Sequence, residues 1–129
     1  MAEMMNEKVK QWIIKAESDI TIAGKDLKTD NPVTDAICFH AQQTAEKYLK
    51  AYLVFKDIEP EKTHKIEKLI QICVTFDATF LALKNTEILT EYAVEFRYPD
   101  DFYIPDIEEA KEAYNLALKV KDFVLERIK

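Results

Sequence analysis

Apolar residues recur every three or four positions along most of the chain, which is the spacing of one face of an α-helix. The first stretch predicts a helix from about Asn6 to Leu27. Gly24 lies inside it and costs about 1 kcal/mol relative to alanine in an exposed helix. Close approach of another helix or a frayed helix end would each explain this glycine. The apolar face consists of Val9, Trp12, Ile13, Ala16, Ile20, Ala23 and Leu27.

The second predicted helix ends near Phe55 and has Asn31 as its cap. Pro32 would take the first helical position, where its missing N–H is no loss. The apolar face consists of Ile37, Cys38, Ala41, Ala45, Tyr48, Leu49, Tyr52 and Leu53. Beside it lie two polar rows, one of His40, Gln43 and Lys47 and the other of Gln42, Glu46 and Lys50. Glu46 and Lys50 have the spacing and order of a helical ion pair.

Two shorter helices are expected in the middle of the chain. Thr63 would cap the third helix, which points Ile66, Leu69, Ile70 and Cys73 inward. Residues 76–84 are expected to form a loop with at most one helical turn. A fourth helix would begin at Asn85 or Thr86 and stop before Pro99, because the residue before a proline avoids the helical region. Its inward residues would be Ile88, Leu89, Tyr92, Ala93 and Phe96.

The last predicted helix begins after Asp106, which forms a capping box with Glu109, and it continues to the C-terminus. Three long helices and two shorter ones joined by short loops predict an all-α fold. We expect an antiparallel, up-and-down bundle of four to five helices, forming one domain over residues 1–129. Trp12, Tyr48 and Tyr52 make the inner faces broad, so a second subunit is expected to cover part of them, most simply in a two-fold homodimer.

Composition supports few, long elements, because the 129 residues include one glycine. The net charge of −6 makes the chain a poor nonspecific nucleic-acid binder. Neither a transmembrane segment nor a secretory signal is visible, so a cytoplasmic protein is expected. Cys38 and Cys73 are expected to be buried, reduced thiols. No metal site and no cofactor are expected, because neither cysteine has a second ligand at metal spacing.

Three places could carry chemistry. The first is the mixed polar run 39–51, which could equally be an ordinary surface stripe. The second is His64 at the start of the third helix, where backbone N–H groups can meet an anion; a solvated residue near a helix end is the other reading. The third is Arg97, whose forked guanidinium fits a phosphate or carboxylate. Its alternative role is a salt bridge to Glu46, Glu95 or Asp100.

Together these segments resemble the HEPN domain family (higher eukaryotes and prokaryotes nucleotide-binding). The resemblance extends from about Trp12 to Val124. It rests on the phrase Phe39-His40-Ala41-Gln42-Gln43 followed by Ala45-Glu46-Lys47, on Thr63-His64, and on Arg97-Tyr98-Pro99-Asp100. It implies a helical bundle that usually dimerises. It also implies a frequent partner, a small nucleotidyltransferase often encoded next door, in pairs where the HEPN protein can be the toxin and the transferase the antitoxin.

Toxic members of the family are metal-independent ribonucleases that carry an arginine followed, after four to six intervening residues, by a histidine. Arg97 matches the arginine, whereas the positions expected for the histidine hold Phe102, Tyr103 and Ile104. The sequence therefore favours a partner subunit that binds a nucleotide or phosphate. Such a subunit would be non-catalytic or only weakly catalytic. The site is expected near the cleft between the second and fourth helices.

The residues expected to bind the nucleotide or phosphate are Arg97, His40, Gln43, Lys47, His64 and Tyr98. Tyr98 or Tyr103 could stack on a base. Two alternatives remain open at this point. One is a ribonuclease toxin that uses Arg97 with a displaced histidine such as His64, and the other is a purely structural dimerisation module.

Overall fold

A computed structural model describes residues 6–93 and 103–128. Within these ranges the chain forms four α-helices and one long 3₁₀-helix, which confirms the predicted all-α fold. The bounds are α1 Glu7–Leu27, α2 Thr34–Phe55, α3 Ile66–Val74, the 3₁₀-helix Ala78–Tyr92 and α4 Ile107–Arg127. None of these helices is both long and apolar enough to cross a membrane.

Helix α1 begins where the sequence predicts. The side chain of Asn6 accepts a hydrogen bond from the Val9 N–H at 2.9 Å, which satisfies one of the unpaired donors of the first turn. Gly24 lies inside the helix against Tyr114 of α4, and a Cβ at this position would stand 2.9 Å from the tyrosine hydroxyl oxygen. The close approach of another helix, rather than fraying, therefore accounts for the glycine.

Helix α2 is the centre of the bundle, because it packs against α1, α4, α3 and the 3₁₀-helix. Every residue of its predicted apolar face is buried. The predicted cap is wrong: the helix begins at Thr34, two residues after Pro32, and Val33 at the cap position offers no side-chain hydrogen bond. Instead, Asp26 at the end of α1 accepts the Val33 N–H at 2.6 Å, so the preceding helix supports the turn.

The middle of the chain differs most from expectation. Helix α3 begins at Ile66 and is not capped by Thr63, whose hydroxyl accepts a hydrogen bond from the Lys65 N–H in the preceding turn. The predicted loop at 76–84 and the start of a helix at Asn85 or Thr86 are also wrong, because one 3₁₀-helix covers Ala78–Tyr92. Its buried residues recur at every third position, namely Phe80, Leu83, Thr86, Leu89 and Tyr92. Ile88, predicted to point inward, is exposed.

Helix α4 begins as predicted, with the Asp106 side chain accepting the Glu109 N–H at 2.8 Å. Contacts between the helices show their directions. Along α1 and α2, Glu17 meets Tyr48 and Asp26 meets Val33, so the two helices are antiparallel. Helix α4 is antiparallel to α1, because Lys121 contacts Glu17 and Tyr114 lies against Gly24. It is also antiparallel to the 3₁₀-helix, because Lys119 contacts Asn85 and Glu109 contacts Tyr92.

The large aromatic residues of α2 do not call for a second subunit. Tyr48 and Tyr52 are buried within the single chain, and Tyr52 packs on Phe80 with ring centroids 4.4 Å apart. Trp12 is only partly buried. The breadth of the α2 face is thus used inside the bundle, so the argument for dimerisation from these tyrosines is wrong, while the homodimer itself stays a prediction. Cys38 and Cys73 are buried and not joined in a disulfide, as predicted.

Candidate functional site

Asp19 of α1 brings two of the predicted site residues together. Its Oδ1 lies 2.7 Å from His40 Nδ1, and its Oδ2 accepts a hydrogen bond from Lys47 Nζ at 2.6 Å. Asp19 is buried, whereas His40 and Lys47 are half-buried at the edge of α2. Because His40 and Lys47 lie seven residues apart, two turns along one face of the helix, a single carboxylate spans both of them. The polar row is therefore an anchored surface rather than a freely solvated stripe.

The second polar row of α2 is buried, which excludes for this row the alternative of an ordinary surface stripe. Gln42 is fully buried, Glu46 is 4% exposed and Lys50 is 6% exposed. Glu46 Oε2 accepts a hydrogen bond from Lys50 Nζ at 2.9 Å, which confirms the predicted ion pair. Glu46 Oε1 lies 2.8 Å from His64 Nδ1 and accepts from Gln42 Nε2 at 3.1 Å. Four polar side chains thus share one carboxylate-centred network.

This network keeps Glu46 ionised. Burial opposes ionisation of the carboxyl, but hydrogen bonds from Lys50, His64 and Gln42 outweigh it and hold the pKa of Glu46 below its usual value. Gln42 also donates to the His64 backbone carbonyl at 2.9 Å, so the loop before α3 is fastened to α2 by both its backbone and its side chain. The position of His64 is consequently set by α2.

Gln43 is the predicted site residue that connects the two rows. It belongs by spacing to the row of His40 and Lys47, yet its Nε2 donates to Gln42 Oε1 at 2.7 Å. The predicted residues of α2 therefore divide between two networks on neighbouring flanks. His40 and Lys47 face α1 through Asp19, while Gln43 joins the Glu46 network that holds His64.

Arg97 and Tyr98 lie outside the described residues, so their part of the predicted site stays a prediction. Tyr103 is described and exposed, and its hydroxyl donates to Glu109 of α4, which also accepts from Tyr92. The bond to Glu109 raises the pKa of Tyr103 to about 12. Stacking of a base on Tyr103 stays a prediction.

Charge in the two networks is balanced pair by pair. Lys47 is matched by Asp19, and Lys50 is matched by Glu46. A phosphate at this surface would therefore be bound by directed hydrogen bonds rather than by an excess of positive charge. Within residues 6–93 and 103–128, no group of three or more histidine, cysteine or acidic side chains has the arrangement of a metal site.

Sequence reasoning missed Asp19, and a signal for it exists. The residue lies three positions after Ala16 and four before Ala23, so an acid interrupts the apolar face of α1. A charge on a buried face requires a partner, and the partners are His40 and Lys47. The burial of Glu46 carries a similar signal, because it lies three residues before Leu49 on the flank of the apolar face.

Comparison with known proteins places the chain in a family. The model of the HEPN domain family matches residues 9–128. The crystal structure of an archaeal HEPN homologue superposes with a TM-score of 0.68 at 28% sequence identity, covering 94% of this chain and 98% of the other. Among curated proteins, none matches the chain. The chain belongs to the HEPN domain family, as its sequence predicts.

Proposed function

We propose that this HEPN-domain chain is the nucleotide-binding partner subunit of a small nucleotidyltransferase, with a phosphate held beside Lys47 and His40. The observation that carries the proposal is the double contact of Asp19. It holds the ammonium of Lys47 and the imidazole of His40 in fixed positions at a half-buried surface. Fixed polar groups lose little conformational freedom when a ligand arrives, which favours binding.

The hydrogen-bonding capacity of these groups suits a phosphate. An ammonium has three N–H donors, and Asp19 accepts from Lys47 through one of them. In its doubly protonated form, His40 donates the Nδ1–H to Asp19 and can donate the Nε2–H to a phosphate oxygen. A phosphate would then receive charge-assisted hydrogen bonds at a surface that carries no excess charge of its own.

The partnership follows the expectation that family resemblance brings, namely a small nucleotidyltransferase encoded beside the gene of the HEPN protein. Co-expression of this chain with such a neighbouring transferase, followed by size-exclusion chromatography, tests it directly. We expect one co-eluting complex. Separate elution, together with no change in melting temperature on addition of nucleotide, would remove the proposal.

The phosphate site has its own test. Binding of AMP is measured by calorimetry for the parent chain and for Lys47→Met, which removes the ammonium and keeps the aliphatic stem. Loss of a hydrogen bond to a charged group should weaken binding about tenfold or more. Lys28→Met is the matched control, because Lys28 is an exposed lysine at the end of α1. Equal affinities for the two variants would contradict a phosphate at Lys47.

A second candidate is a ribonuclease toxin that uses His64, and the Glu46–His64 contact favours it. A carboxylate on Nδ1 fixes the tautomer in which Nε2 serves as the proton acceptor, an arrangement suited to general base catalysis. Induced expression should then arrest growth, and Arg97→Ala should relieve the arrest. RNA degradation that persists after Arg97, His40 and His64 are all replaced would identify a contaminating nuclease instead.

A further inference from the structure

A cleft of about 800 Å³ opens where the start of α1, the end of α2 and the loop before α3 meet. We call it the Trp12 cleft. Its volume falls in the range of small-molecule sites. It shares Lys50 with the Glu46 network, and the predicted site includes none of its residues. Its lining includes Trp12, Lys50, Val54, Ile58, Glu7 and Asp57.

The floor of the cleft is a buried cation. Lys50 is only 6% exposed, and its Nζ lies 5.7 Å from the centroid of the Trp12 ring. Glu46 accepts one of its hydrogen bonds, and an ammonium can donate three. The floor thus offers donors to a ligand that brings an acceptor atom into the cleft.

The walls and the rim restrict what that ligand can be. The walls are an aromatic ring, Trp12, and the aliphatic side chains of Val54 and Ile58, which suit a flat apolar group. The exposed rim holds four carboxylates, Glu7, Asp57, Glu59 and Glu61, against the two lysines Lys8 and Lys62. This excess of negative charge disfavours a phosphate inside the cleft. A flat, uncharged ring with hydrogen-bond acceptors satisfies all three conditions.

We infer that the Trp12 cleft binds the base of a nucleotide, with the ring against Trp12 and an acceptor atom of the base at Lys50 Nζ. The inference rests on the proposed nucleotide binding and assigns the other half of the ligand. Lys47 lies three residues before Lys50, so the two ammonium groups project from neighbouring positions on α2. A base at Lys50 leaves its phosphate on the side of Lys47, away from the acidic rim.

The protein contains its own reporter for this site, because Trp12 is the sole tryptophan. Tryptophan fluorescence is titrated with adenosine, which has a base and no phosphate, and with ribose 5-phosphate, which has a phosphate and no base. Free N-acetyltryptophanamide corrects for light absorbed by adenosine. We expect saturable quenching by adenosine and none by ribose 5-phosphate. Lack of quenching by adenosine would overturn the inference.

Variants separate the cleft from general surface binding. Lys50→Met removes the donor at the floor and should weaken adenosine binding about tenfold. Lys56→Met is the matched control, since Lys56 is an exposed lysine near the same end of α2, outside the cleft lining, and should bind as the parent does. Circular dichroism verifies that each variant is folded. If Lys50→Met does not fold, Trp12→Leu measured by calorimetry takes its place, with a loss of about tenfold expected from the missing stack.

Failure of this inference can be told apart from failure of the proposed function. Binding of AMP that depends on Lys47 but leaves Trp12 fluorescence unchanged would refute the base site and keep the phosphate site. Quenching by adenosine that is equal in the parent, Lys50→Met and Lys56→Met would likewise refute it. If neither adenosine nor AMP binds at all, both proposals fall.

Discussion

The buried pair of Glu46 and Lys50 makes an asymmetric prediction about stability. Glu46 receives hydrogen bonds from Lys50, His64 and Gln42, whereas Lys50 has Glu46 as its hydrogen-bond acceptor. Removing the carboxylate therefore leaves a buried ammonium without its counter-charge. Removing the ammonium leaves a carboxylate that still has His64, Gln42 and Gln43 as donors. Glu46→Gln should consequently destabilise the fold more than Lys50→Met does.

The expected magnitudes follow from the burial of both groups. An ion pair broken so that one charge stays buried costs about 3–5 kcal/mol, which applies to Glu46→Gln. Loss of one charged hydrogen bond with other donors retained costs about 1.5–3 kcal/mol, which applies to Lys50→Met. The double variant should cost less than the sum of the two, because the isolated ammonium no longer exists.

Urea unfolding followed by circular dichroism measures all three variants. With a denaturant dependence of about 1–3 kcal/mol per molar, Glu46→Gln should lower the midpoint by about 1 M or more. Lys47→Met serves as a half-buried lysine on the same helix that belongs to the other network. The reasoning is refuted if Lys50→Met costs as much as Glu46→Gln, or if the two single costs add fully in the double variant.

The same carboxylate predicts how stability depends on pH. The folded pKa of Glu46 is lower than the unfolded value, so its contribution is complete above the unfolded pKa, about 4.3. The contribution is lost as the pH falls through the folded pKa, because the protonated carboxyl no longer matches its donors. Glu46→Gln should flatten the acid side of the stability curve. An unchanged acid limb would show that other carboxylates dominate it.

Three further outcomes are expected. Gly24→Ala alone should gain little stability, because its Cβ would meet the Tyr114 hydroxyl. In a Tyr114→Phe background the same substitution should gain up to about 1 kcal/mol in thermal melts. Equal gains in the two backgrounds would contradict the close contact. Burial raises the pKa of the Cys73 thiol to about 12. In a Cys38→Ala variant, where Cys73 is the only thiol, it should therefore react with a disulfide reagent in native buffer no faster than the chain opens. Glu109→Gln should lower the pKa of Tyr103 toward about 10. A pH titration of tyrosinate absorbance measures this pKa, and the part of the signal that Tyr103→Phe removes belongs to Tyr103.

The sequence predicts the long helices well for a simple reason. In α1, α2 and α4 the burial pattern has the period of an α-helix, so spacing alone identifies the inward faces. The α-helical period does not identify the buried face of Ala78–Tyr92, because buried positions there recur every three residues, the period of a 3₁₀-helix. A polar member, Thr86, also interrupts the row, so the pattern does not stand out among apolar residues.

The site is only partly readable from the sequence. The rows of α2 follow from helical spacing, and so does the Glu46–Lys50 pair. The partners from other segments do not, because the contact of Asp19 with Lys47 joins residues far apart in the chain and requires knowledge of how α1 lies on α2. Residues of one helix can therefore be grouped in advance, whereas the groups they meet on other helices emerge only from the packed structure.

The row of five buried residues in the 3₁₀-helix has a geometric consequence for the length of this segment. In an α-helix each three-residue step falls about 60° short of a full turn, so the five side chains would spread over about 240° and could not face one core. Fifteen residues at the 3₁₀ rise of about 2.0 Å span about 30 Å, against about 22 Å in an α-helix. Burial of a single narrow row thus sets how far the chain extends along α4. The core therefore determines the length that these fifteen residues span.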